Sequence, residues 1–357
     1  MSNTSNQEQD DFIFRLKVLY NQMVHIPIML ATLRKEFPKF FNQNDDADTD
    51  LIQDLKSIPL QEKINNNILN HSNRPTTSYF KKFIKTIVDQ LQKLDQEVHE
   101  EILEKFMKSL STPTGLAGDP LCIKSYCLQD SKKEEWVTLV NENAYNLVGM
   151  TTWGAAYLLS DYILANKSFF SDKHILELGS GTGLAGIALQ CVADPPCKKV
   201  VLTDYSPKVL NNLKENIELN NIEIQDFINT EDFQGESEKR FSVRILDWEI
   251  EDLKCLDQCL DIVDSEIIIG ADIVYDPSLA RYLVAILNYL LNKKAGSMAI
   301  ISSTIRNQST FEIFQKELVE KNLIVQDITN QCDLLNPSPF IYDRSQIVLY
   351  KIYANIQ

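Results

Sequence analysis

The sharpest local pattern in the sequence is Glu177-Leu178-Gly179-Ser180-Gly181-Thr182-Gly183, with three glycines at alternate positions directly after the apolar run Ile175-Leu176. Glycines there let the backbone approach a ligand closely, and a helix opening at the turn aims its first amides at the same ligand. Two chemistries fit. The spacing Gly181-x-Gly183-x-x-Gly186 satisfies the dinucleotide fingerprint, and Asp204 falls near the distance expected of a ribose-binding acid. Glu177 tilts the balance, because a carboxylate at that strand end faces a cationic methionyl amine favourably and repels a pyrophosphate.

Further strand ends carry chemistry. Asp204 closes Val201-Leu202-Thr203 and is placed to accept hydrogen bonds from two ribose hydroxyls in either reading, with helix capping ahead of Pro207 as the plain alternative. Leu246-Asp247-Trp248 offers a carboxylate for an adenine amino group beside an indole that can stack on the ring. In Gly270-Ala271-Asp272-Ile273-Val274-Tyr275-Asp276-Pro277, Asp272 and Tyr275 can face one cleft mouth as an acceptor and an aromatic surface. This is not the Asn-Pro-Pro-Tyr type of tetrapeptide that serves planar amides and base amines, which lowers those substrates. Trp153, in Thr151-Thr152-Trp153-Gly154-Ala155-Ala156, precedes an apolar helix and reads either as a lid over the ligand or as core.

The elements that position these residues are legible. From Lys173 onward short apolar strands (175–178, 200–203, 242–246, 267–270, 298–302, 323–328 and 346–352) alternate with helices near 184–193, 206–219, 278–292 and 309–321. That predicts a mostly parallel, doubly wound α/β sheet of seven strands covered on both faces, with an antiparallel edge where the last two strands join without a helix. Ligands of such a sheet sit outside the carboxyl ends of its strands, where the residues above fall.

Upstream, residues 1–112 read as an α-helical domain whose clearest helix carries an apolar stripe from Phe80 to Leu110, a packing surface in the simplest reading. Residues 42–50 form a polar, acidic loop, and Pro113 to Pro120 punctuates the chain. The runs 121–126 and 135–140 flank a charged turn as a hairpin. Residues 113–145 are therefore a linker and β-hairpin, and 146–357 the ligand-binding α/β domain.

With 357 residues and 44% hydrophobic side chains the chain can bury a sizeable core. A net charge of -15 and an isoelectric point near 4.8 oppose direct nucleic-acid binding, which relies on Lys and Arg neutralising phosphates. The acidity serves either solubility or the attraction of a basic protein. Seven cysteines without a Cys-x-x-Cys pair, and the scattered His25, His71, His99 and His174, give no support to a metal site. No uncharged run approaches the roughly 18 residues of a membrane span, and the polar, then acidic, first residues do not resemble a targeting leader. A cytoplasmic protein is expected.

Taken in order, Trp153-x-Ala155-Ala156, Glu177-Leu178-Gly179-Ser180-Gly181-Thr182-Gly183-Leu184, Thr203-Asp204, Leu246-Asp247-Trp248 and Asp272-x-x-Tyr275 resemble the seven-strand protein-lysine methyltransferases of methyltransferase family 16. The resemblance covers about residues 145 to 353. It implies a class I, Rossmann-like methyltransferase fold and S-adenosylmethionine as cofactor. Contacts to that cofactor fall to Trp153, Gly179, Ser180, Gly181, Asp204, Trp248 and Ala271, with Asp272 and Tyr275 at the substrate lysine; Glu177, Gly183 and Asp247 join the cofactor set from the reading of the residues. The stretch Asn146-Leu147-Val148-Gly149 departs from the Gly-Thr-Thr-Gly-type run that precedes the tryptophan in the family.

Within the family, the helical extension and total length resemble the eukaryotic enzymes that modify translation elongation factor 2, which implies a protein substrate, met by a monomer. Methyl transfer to an amine needs the neutral amine, so Asp272 is expected to orient the ammonium and take its proton while Tyr275 and a second aromatic hold the cation. Competing readings are a methyltransferase for RNA or a small molecule, a catalytically silent fold that binds partners, and a nicotinamide oxidoreductase.

Overall fold

The computed structural model describes residues 6–41, 52–70, 75–112, 120–128, 135–142, 148–191, 195–227, 239–335 and 337–355. The acidic loop over 42–50, the segment 113–119 and the charged turn of the hairpin lie outside the described residues. Two units separate in space, Met1–Tyr126 with Asn141–Ala144, and Cys127–Val140 with Tyr145–Gln357.

The first unit is built from α1 (Asn6–Asn21), α2 (Ile26–Glu36), α3 (Ile58–Ile64), α4 (Thr77–Lys93) and α5 (Glu100–Ser111). Aromatic rings fill its centre: Phe12 stacks on Phe40 at 4.4 Å, Tyr20 tilts against Phe83 at 4.6 Å, and the Tyr79 hydroxyl donates to the Val24 carbonyl at 2.7 Å. The stripe from Phe80 to Leu110 does not run along one helix. Asp95 turns left-handed at φ 53° and the Gln96 amide reaches back to the Leu91 carbonyl at 3.0 Å, which closes α4 before α5 begins. Phe83, Ile84, Ile87, Val88 and Leu91 on α4 and Ile102 on α5 are buried, whereas Leu110 at the end of α5 is exposed, so the stripe is packing surface along α4 and into the first turn of α5.

The strands β1 (Leu121–Cys127) and β2 (Trp136–Glu142) form a two-stranded sheet of their own. The second unit continues with α6 (Gly154–Ala165), α7 (Lys167–Phe170), β3 (His174–Leu178), α8 (Leu184–Ala188), β4 (Lys199–Asp204), α9 (Pro207–Leu219), β5 (Ile224–Phe227) and β6 (Phe241–Ile245). It closes with α10 (Leu260–Val263), β7 (Ile267–Ala271), α11 (Ala280–Lys293), β8 (Met298–Thr304), α12 (Gln308–Glu320), β9 (Leu323–Asp327) and β10 (Ile347–Ala354).

The sheet order is β5-β6-β4-β3-β7-β8-β10-β9, with β10 antiparallel to both neighbours. Every residue of β3 and β4 is buried, as strands covered on both faces must be. One expectation needs correction. The sheet has eight strands, because the four-residue β5 pairs in parallel with β6, Ile224 opposite Phe241; so short an edge segment has no periodicity to betray it. The antiparallel edge is present where the last two strands join: β10 inserts between β8 and β9, and β9, paired antiparallel to it, is the edge strand. Strand order reverses between β3 and β7, which places the crevice at their carboxyl ends. Among the described residues no helix is long and apolar enough to cross a membrane.

Candidate active site

At the end of β3 the chain turns through Gly179, Gly181 and Gly183, all left-handed (φ 61°, 55° and 87°). A Cβ on Gly179 would stand 2.7 Å from Ile273 and 3.5 Å from the Trp248 ring, and one on Gly181 would stand 3.1 Å from the Gly149 carbonyl. The backbone is thus bare where it faces the cleft. Gly183 does other work. It precedes α8, and its missing Cβ would collide with Leu213 at 2.4 Å, so it faces inward and is not part of the cleft wall. At Gly186 a Cβ would meet Leu202 at 2.3 Å and Glu177 Oε2 at 2.5 Å. The third glycine of the apparent dinucleotide fingerprint therefore lets α8 lie close on β4 and leaves room for the Glu177 carboxylate.

Glu177 is 3% exposed, and its Oε2 has no hydrogen-bond partner among the described residues. Burial pushes its carboxyl up to about 8, against the opposing pull of Ser180 and the Gly186 amide. Asp204 ends β4 and ties two turns together, accepting from the Gly181 amide at 3.3 Å and from the Ser206 amide at 3.1 Å. Burial raises its pKa, opposed by those amides. Asp247 is exposed, bonded to the Glu249 amide at 3.0 Å, and Trp248 is half-buried behind it.

On the other side of the crevice Asp272 follows β7 with φ 56°, its amide fixed to the Ser302 carbonyl at 2.8 Å. Its carboxylate is fully engaged: Oδ1 accepts from the Thr304 amide (2.9 Å) and Arg306 (3.2 Å), Oδ2 from the Thr304 hydroxyl (3.1 Å) and Arg306 (2.8 Å). A free acceptor waiting for an ammonium is not what the structure contains. The Arg306 guanidinium also lies over the Trp153 ring, 4.8 Å from its centroid, and the indole donates to the Val148 carbonyl at 2.9 Å. Trp153 is thus a pinned wall and not a moving lid. Tyr275 is 46% exposed at the mouth, with Tyr205, 63% exposed, near enough to help raise its phenol pKa after burial, the larger cause.

These side chains line one cleft of about 590 Å³, within the range of small-molecule sites. Trp153, Glu177, Gly179, Ser180, Gly181, Asp204, Asp247, Trp248, Ala271, Asp272 and Tyr275 all contribute to its wall. Sequence reasoning missed Tyr205, whose only signal was adjacency to Asp204, and Arg306 with Thr304, which become neighbours of Asp272 only through the parallel pairing of β7 with β8. It also missed the asparagines spaced by four along α9. Asn216 and Asn220 accept the Val140 and Thr138 amides at 2.7 and 2.9 Å, and Asn216 donates to the Thr182 carbonyl at 2.9 Å.

The profile of the lysine methyltransferase family matches residues 132–321. The chain belongs to the lysine methyltransferase family. Membership brings S-adenosylmethionine as methyl donor and removes the nicotinamide alternative. Among relatives of this chain, an uncharacterized protein of Dictyostelium discoideum is 55% identical over 99% of both chains. The human protein-lysine N-methyltransferase EEF2KMT is 26% identical over 77% of this chain and 78% of its own, and the Saccharomyces cerevisiae protein-lysine N-methyltransferase EFM3 is 25% identical over 62% and 63%. The cleft suits the methyl donor chemically: the orphaned oxygen of Glu177 calls for a cationic partner, and the bare turn at Gly179 and Gly181 admits a ligand against the backbone.

Proposed function

We propose that this lysine methyltransferase-family protein is a protein-lysine N-methyltransferase that acts on translation elongation factor 2 in the cytoplasm. One observation carries the reading. A single cleft joins a glycine turn and a buried carboxylate with one unpartnered oxygen at the end of β3 to two exposed tyrosines, Tyr205 after β4 and Tyr275 after β7. Relatives named EEF2KMT support the choice of acceptor, and the helical region over 1–112 is better suited to docking a protein than a small molecule. The acidity of the chain stands against RNA.

When bound, S-adenosylmethionine supplies a methyl group on a sulfonium. Glu177 meets the methionyl amine, Asp204 accepts from the ribose hydroxyls, and Asp247 and Trp248 receive the adenine. Gly179, Ser180, Gly181 and Ala271 give the backbone surface, with Trp153 as a side wall. Tyr275 and Tyr205 hold the methylated, cationic nitrogen that the transfer leaves on the lysine against their faces by cation–π attraction. The acceptor amine is neutral in only about one molecule in a thousand at pH 7 when fully solvated. Ile273, Trp248 and Leu279 in the cleft wall withhold water and favour the neutral form. The remaining contribution is alignment of the amine with the transferred methyl.

The test is incubation with tritiated S-adenosylmethionine and cell extract, then with purified elongation factor 2. Label on a lysine of elongation factor 2, located by mass spectrometry, is expected. Label confined to RNA, or to a different protein, overturns the respective part of the proposal.

A further inference from the structure

Resting on that reading, we propose that Arg306 is a positioning residue for methyl transfer, which fixes Asp272 and Trp153 from outside the cleft that both of them line. Arg306 itself is absent from the cleft wall and has a side chain 44% exposed, whereas the Asp272 side chain it grips is 5% exposed. An ionised carboxylate has about four acceptor positions. At Asp272 all four are taken, two by the Arg306 fork at 3.2 and 2.8 Å and two by Thr304 at 2.9 and 3.1 Å.

Two consequences follow for the reaction. The carboxylate is held in one orientation on a backbone that is itself left-handed, a conformation that persists at a non-glycine residue only when its surroundings over-determine it. Its charge is also cancelled. A lone carboxylate beside the acceptor would stabilise the unreactive ammonium; paired with a guanidinium, it forms a rigid wall that leaves the amine free to lose its proton. Asp272 then serves as an anchor and the proton leaves to water.

The same guanidinium covers Trp153 at 4.8 Å while the indole nitrogen holds the Val148 carbonyl at 2.9 Å, so ring face and ring edge are both fixed. The neighbouring Gly154 lets α6 start against this cluster, since a Cβ there would come within 3.2 Å of Ile347 and 4.0 Å of the Thr304 hydroxyl. Only arginine provides fork and stacking plane together, so lysine is a poor substitute.

The experiment compares full-length wild type, Arg306→Ala, Arg306→Lys, Asp272→Ala and the double alanine variant, with rates expressed per cofactor-binding site so that any unfolded fraction drops out. Arg306→Ala should lower kcat on the order of ten- to a hundred-fold, with the S-adenosylmethionine Kd changed less than about three-fold. Arg306→Lys should fall between it and wild type, and the double variant should be no slower than Asp272→Ala alone, as for residues acting as a unit. Arg306→Ala retaining kcat within about two-fold, or a double variant in which the losses multiply, overturns the proposal. A readout that needs no acceptor separates this outcome from failure of the lysine reading. In protein labelled with 5-fluorotryptophan, the Trp153 resonance, assigned with Trp153→Phe, should shift in Arg306→Ala while that of Trp136 stays in place; an unmoved Trp153 resonance refutes the clamp whatever the substrate is.

Discussion

Glu177 and Asp272 stand at the ends of two strands that pair directly, β3 and β7, yet they are dressed in opposite ways. Glu177 is buried with an oxygen that nothing described satisfies, and its carboxyl is pushed up to about 8. Asp272 has a donor on each of its acceptor positions. The difference teaches how one crevice divides its labour. The β3 end leaves a buried oxygen without a donor, whereas the β7 end is saturated by its own neighbours, as a preorganised wall should be.

The largest expected effect separates the halves outright. Asp272→Ala should reduce turnover on the order of a hundred-fold or more while cofactor affinity stays within a few-fold; titration of S-adenosylmethionine by calorimetry beside a methylation assay checks it, and a parallel collapse of affinity would erase the comparison. Next comes Gly186→Ala, whose new methyl is driven against Leu202 and the Glu177 carboxylate. It should destabilise the protein by about 1–3 kcal/mol in urea unfolding and weaken the cofactor, whereas Gly296→Ala, strained only by its left-handed φ of 80° on the surface, should cost stability and leave cofactor affinity unchanged.

Protonation sharpens the contrast further. The Glu177 pKa lies above its ordinary value of 4.5 in the folded chain, so the folded state holds an extra proton from there up to about 8. Stability of the cofactor-free protein from this group is therefore full at low pH and declines as pH rises through that window, with a slope approaching about 1.4 kcal/mol per unit. Glu177→Gln should flatten the decline in unfolding measured from pH 5 to 8. At pH 7 cofactor binding should release a proton from the wild type and none from the variant, read from calorimetry in buffers of different ionisation enthalpy. The smallest change is Thr304→Val, which removes one of four donors to Asp272 at 3.1 Å; about 1 kcal/mol, or a few-fold in kcat, is expected.

Much of this was legible in the sequence for physical reasons. Buried parallel strands write themselves as apolar runs, and the carboxyl-end rule gathers Glu177, Asp204, Trp248 and Tyr275 into one crevice. Gly183 was misplaced because a glycine required by an inward collision with Leu213 looks the same in sequence as one required by a ligand. Arg306 was invisible for a different reason. Its partners lie 34 and 153 positions away in the chain, and no local periodicity encodes a clamp closed by strand pairing. The break at Asp95 lacked the glycine or proline that usually announces one.

The asparagine row on α9 has a meaning beyond support of the turn at Thr182. A strand with open amides is a template on which another chain can grow, and proteins ordinarily blunt such edges with charge, proline or a covering element. Here the amides of Thr138 and Val140 are met by side-chain oxygens, and the carbonyls of the same two residues by side-chain amides, from Asn212, Asn216 and Asn220. A helix thus impersonates a neighbour strand, and the β2 edge is closed to recruitment without a further strand being spent on it.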